Sequence, residues 1–117
     1  MQHAKQNRTL GRSRAQRTAL LRGLAASLIR DGKIVTTEAK AKELRPYVER
    51  LITTAKTDTI SNRRRIASKL GEEQGPIVSK LFTTTAPAHK NRAGGYTRII
   101  KMGRTAAGRD EAVIEIV

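Results

Sequence analysis

A chain of 117 residues, 38% hydrophobic and 3% aromatic, is sized for one domain with a small core. It cannot spare the apolar side chains that a deep pocket for a sizeable organic ligand would consume. Its 24 Lys and Arg against 10 Asp and Glu give a formal net charge of +14, and with no cysteine it forms neither disulfides nor thiolate metal sites.

Residues 1–14, MQHAKQNRTLGRSR, show no apolar period and hold one large aliphatic side chain, Leu10. Such a segment cannot offset its own ordering entropy, so a flexible basic arm is expected there, followed by a single globular domain over 15–117. From Ala15 to Arg30 the pattern becomes helical: Leu20, Leu21, Leu24 and Leu28 share one side of the wheel with Ala25 and Ile29, while Arg22, Ser27 and Arg30 face away. Asp31-Gly32 stops that helix. The short β-branched KIVT, Lys33 to Thr36, reads as a strand, and Thr37 followed by an acid reads as a helix start. The next helix carries Ala41, Leu44, Val48, Leu51, Ile52 and Ala55 on one face, with a kink expected at Pro46.

Thr57 to Thr59 separates it from a short helix over Ile60 to Leu70, and after the loop GEEQGP, Pro76 opens another with Ile77, Val78, Leu81 and Phe82 at helical spacing. Tyr96 to Met102 and Glu111 to Val117 alternate in the manner of strands around the turn region GRTAAGRD, and predict an antiparallel hairpin. KIVT supplies a third strand. The class is therefore α+β, several helices packed on a small three-stranded sheet.

Charge is distributed unevenly. Residues 1–30 and 76–109 each hold seven cations and no acid, whereas 31–62 hold six cations and five acids, the balance of an ordinary solvated surface. Two acid-free basic blocks imply a polyanion, and the commonest is nucleic acid. The same bias in an N-terminus alone would suit an organelle transit peptide, but it recurs near the C-terminus. The longest uncharged run, Leu81 to His89, is too short and too polar to span a bilayer, so no membrane partner is expected.

Nothing here assembles a catalytic centre. His3 and His89 lie in basic surroundings with no carboxylate within six residues, which suits neighbours of phosphate or ribose better than general bases. No metal-ligand spacing or nucleotide-cradling glycine loop is present, so neither cofactor, metal nor small-molecule substrate is expected. Of the three aromatics, Tyr47 and Phe82 sit in helical apolar patterns, too few free rings for a reader of single strands. Backbone recognition remains, guanidinium and ammonium groups against phosphate oxygens.

The candidates in the N-terminal block are His3, Lys5, Arg8, Arg12, Arg14, Arg17 and Arg22. The run Arg63, Arg64, Arg65 is either an RNA contact or a solvated helix face. In NRAGGYTRIIKMGR and its neighbour Lys90, the candidates are Lys90, Arg92, Arg98, Lys101 and Arg104, with Tyr96 and the glycines Gly94 and Gly95. Those glycines either let a phosphate backbone come close or only make a tight turn into the strand.

In order along the chain, RTALLRGLAASLI, IVTTEAKAKELR, LITTAKTD, VSKLF and above all RAGGYTRIIKMG resemble the bacterial family of large-subunit ribosomal protein seventeen. The resemblance covers nearly the whole length and implies helices against a small three-stranded mixed sheet. It implies a structural constituent of the large ribosomal subunit in the cytoplasm, binding 23S rRNA in support of translation. Ribosomal protein thirty-two is the first neighbour it implies, with proteins three and twenty-two after it. The alternative that the charges alone permit is a free architectural DNA- or RNA-binding protein. The chain departs from the family at Gln2 and Ala4, where the family has arginines, and at Gln16, where it has histidine.

Overall fold

The computed structural model describes residues 13–71 and 74–117. The basic arm expected over 1–14 lies outside the described residues up to position 12, and with it His3, Lys5, Arg8 and Arg12. The first helix, α1, spans Arg14–Asp31 and so takes in the last residue of that segment. Ser13 starts it: its hydroxyl accepts from the Gln16 N–H at 3.2 Å, while the Gln16 side chain accepts from the Ser13 N–H at 3.1 Å. This capping box satisfies two otherwise orphaned donors and gives Gln16 a local role. At the other end Gly32, at φ 83°, donates its N–H to the Leu28 carbonyl.

Strand β1, Lys33–Thr37, leads into α2, Glu38–Ala55, whose first turn is capped by the Thr37 hydroxyl. The α2 helix runs as one element through Pro46, which lies on its exposed side, where water can reach a carbonyl left without its donor. Thr59 caps α3, Ile60–Leu70, by accepting from the Asn62 N–H, a type of contact that contributes about 1 kcal/mol. Helix α4, Gly75–Lys80, continues through a π-helical turn, Leu81–Thr85, and a last turn, Ala86–Ala88. Pro87 has no donor to carry that ladder on.

Strands β2, Thr97–Arg104, and β3, Asp110–Ile116, form the hairpin, and the sheet order is β1-β3-β2. Every bonded pair is antiparallel, so the sheet is not mixed. The edge strands β1 and β2 do run in the same direction, but β3 lies between them and bonds both. Lys101 pairs with Ala112 and Gly103 with Glu111, so Met102 is the extra residue of a bulge.

Ile34, Ile114 and Ile99 make one cross-strand row facing the helices, and Leu28, Leu44, Ile52, Leu70 and Leu81 meet it in a single core. The opposite row, Val35, Val113 and Ile100, lies on the outer face with Val35 and Ile100 exposed. The helices therefore cover one side of the sheet only.

Candidate nucleic-acid interface

The last carbonyls of a helix have no partner within it, and in α3 the Lys69 carbonyl is met from two other helices. Arg22 of α1 donates to it through Nε at 2.8 Å, and the Tyr47 hydroxyl of α2 donates at 3.1 Å. Burial pushes the Tyr47 phenol above its ordinary pKa, against the opposing pull of Arg22 and Arg50 beside it. These contacts draw cations from three helices to one place.

Arg65 and Lys69, one helical turn apart on α3, line an open cleft of about 560 Å³ together with Arg50 and Pro46 of α2 and with Ala93 and Gly94 of the loop before β2. The acid in its lining, Glu49, is already engaged. It accepts from the Thr97 N–H at 3.2 Å and the Thr97 hydroxyl at 2.7 Å, and faces Arg45 at 3.4 Å. Among the described residues no ion pair uses Arg50, Arg65 or Lys69, and all three are exposed, so the cleft is rimmed by unneutralised cations.

Arg50 and Lys69 were not among the residues singled out by charge blocks, because each lies in a stretch that also holds acids. The readable signal was spacing: Tyr47 and Arg50 are three apart, and Arg65 and Lys69 four apart, on helices whose buried faces point elsewhere.

The other candidates divide. Arg14 is exposed on the first turn of α1, Arg17 is half-buried there, and Arg64 is exposed on α3. Arg63 is engaged at the surface: it holds Asp58 through two bonds of 2.6 and 2.8 Å and lies 4.8 Å from the Phe82 ring centre. That pairing holds the Asp58 carboxyl below the usual range. On β2, Arg98 is paired with Glu115 across the sheet, Lys101 faces Glu38 at 3.5 Å and Arg104 faces Asp110 at 3.6 Å. These cations remain exposed but carry partial neutralisation. Lys90 and Arg92 are exposed, and Arg92 reaches the Gly95 carbonyl at 3.5 Å.

Tyr96 and His89 are both buried rather than held out on the surface. Tyr96 is 1% exposed and lies at the floor of the cleft, its ring packed into the core. Its hydroxyl accepts from the Thr53 hydroxyl at 3.2 Å, and Lys56 sits 4.6 Å from its ring centre. His89 is also buried, edge-on to Tyr96 at 5.5 Å, and bridges the Thr85 carbonyl through Nδ1 at 2.8 Å and the Val117 carbonyl through Nε2. Its ring ties the last helical turn to the end of β3.

The two glycines differ. Gly95 has φ 64°, where a Cβ is strained, whereas Gly94 is outside the left-handed region, and a Cβ built on it meets nothing within 4 Å. Gly95→Ala is expected to cost about 1–2 kcal/mol of stability and Gly94→Ala almost none. Urea melts of the two variants check this, and equal midpoints would refute it.

Comparison with known proteins gives a consistent result. The family model described as Ribosomal protein L17 matches residues 20–117. Large ribosomal subunit protein bL17 of Gemmatimonas aurantiaca is 51% identical over an alignment covering 100% of this chain and 98% of the relative. The protein of the same name in Sphingopyxis alaskensis is 49% identical, covering 100% of this chain and 84% of that one. In Trichlorobacter lovleyi the figures are 44%, 100% and 94%.

Proposed function

Since the chain belongs to the ribosomal protein L17 family, a structural constituent of the large ribosomal subunit and not an enzyme, we propose that it works by binding large-subunit 23S rRNA. The observation that carries this reading is the convergence of Arg50, Arg65 and Lys69 from two helices around a cleft whose one acid among the described residues, Glu49, is already engaged, with Arg22 of a third helix bonded to the Lys69 carbonyl. Cations carried on separate packed helices are pre-positioned at their backbones, so little backbone order has to be created when phosphates arrive. Arg14, Arg64 and the N-terminal block extend the basic surface, and Lys90 and Arg92 add to it near the cleft's loop. The protein then pins and neutralises RNA in support of translation, in the ribosome and the cytoplasm.

Protein neighbours complete the proposal: protein thirty-two first, then proteins three and twenty-two, as the family resemblance implies. The outer row Val35, Val113 and Ile100 is the surface least suited to RNA and the one left for them.

Sedimentation tests the reading against that of a free architectural protein. A tagged copy in a cell lysate should travel with the large subunit and stay there through a moderate-salt wash. Recovery mainly at the top of the gradient, or on bulk nucleic acid, would favour the free protein.

A further inference from the structure

The cleft between α2, α3 and the loop before β2 has a chemistry that phosphate pairing alone does not use. Its volume, about 560 Å³, lies within the roughly 300–1,000 Å³ of small-ligand sites. Pro46 and Ala93 give it exposed, uncharged walls, and Arg50, Arg65 and Lys69 add cations to its lining. Gly94 borders the same wall. Its backbone conformation is open to any residue, and no protein atom lies where its Cβ would be. Gly23 and Gly75 share both features, so what sets Gly94 apart is its place in the cleft lining. What the missing side chain does is leave space at the cleft wall.

We propose that this cleft receives one unstacked nucleotide of the bound RNA, its base against Pro46 and the Ala93-Gly94 backbone and its phosphates on Arg50, Arg65 and Lys69. The assignment rests on the RNA-binding reading above and adds the class of ligand the cleft takes. A base carries flat apolar faces and polar edges, and its adjoining phosphates carry the charge. Those are the two properties the walls and the rim separately match. Guanidinium planes, those of Arg50 and Arg65 included, also stack on bases.

The test uses the full-length protein and 23S rRNA, with filter binding across salt concentrations and chemical probing of the base edges. Gly94→Val should melt with the wild type, because its side chain enters open space. It should bind rRNA roughly tenfold more weakly, the scale of one lost base contact. Its salt dependence should be unchanged because no cation is removed, and one nucleotide protected by the wild type should become reactive. Ala93→Leu, a bulky non-aromatic side chain at an exposed position on the same wall, should have the same effects and serves if Gly94→Val does not fold. Wild-type affinity with an unchanged probing pattern in both variants would overturn the cleft assignment and leave RNA binding standing. Failure of the wild type to bind rRNA at all would overturn both. Saturable binding of free AMP or GMP, lost in Gly94→Val while rRNA binding is unaffected, would mean that the cleft takes a free nucleotide and would overturn the assignment to RNA.

Discussion

Tyr96→Ala should lower the stability of the domain by roughly 3–5 kcal/mol, the scale of losing a buried aromatic side chain, while Tyr96→Phe should cost only about 1 kcal/mol. The ring is wholly buried at the junction of the loop and β2. It meets His89 edge-on at 5.5 Å, lies beneath the Lys56 ammonium and accepts the Thr53 hydroxyl, while its carbonyl accepts from the Val117 N–H at 2.9 Å. Alanine removes the body that α2, the last helical turn and the end of β3 pack around. Phenylalanine removes one hydroxyl and the bond it accepts. Because a domain of this size has about 5–15 kcal/mol in total, the alanine variant should lose most of its margin and melt tens of degrees lower. The phenylalanine variant should bind rRNA as the wild type does. If instead it folds normally and loses RNA affinity, the phenol reaches the RNA and the reading of Tyr96 as a core residue is wrong.

Local signals in this chain are strong. Thr37 and Thr59 mark the starts of α2 and α3 because a hydroxyl placed before a helical apolar period satisfies an orphaned N–H whatever surrounds it. The hairpin and the third strand follow from β-branched alternation around a turn in the same way. What could not be read depends on partners far along the chain. Arg98 reads as a free cation in an acid-free block, yet strand register sets it beside Glu115. His89 reads as basic surface, yet its second partner, Val117, is 28 positions on. Tyr96 precedes the first residue of β2, so the strand's period carries no information about where its ring goes. The basic cluster is hidden for the opposite reason: Arg50 and Lys69 have acids nearby in sequence, and only the packing of α2 against the start of β2 shows that Glu49, beside Arg50, is engaged by Thr97. Blockwise charge therefore finds the partner class and misses the part of the surface where cations from separate elements meet.

That distinction has a measurable consequence. Replacing Arg50, Arg65 and Lys69 together with alanine should weaken rRNA binding about 100-fold near physiological salt and reduce the slope of log K against log salt by roughly two to three, as expected for three lost phosphate contacts. Folding should be nearly unaffected, since all three side chains are exposed and the bonds that tie α1 and α2 to α3 use the Lys69 carbonyl, which alanine retains. Arg98→Ala with Arg104→Ala is the matched comparison. Those two are equally visible in the sequence but face Glu115 and Asp110, so deleting them removes cations whose fields are already partly cancelled. The double variant should lose less than tenfold in affinity and change the slope by about one or less. Filter binding over a salt series, with melting curves of each variant, separates the possibilities. Were the triple variant to bind as tightly as the wild type while the Arg98 and Arg104 pair abolished binding, RNA would lie along β2, and the helical cluster would be a solvated surface.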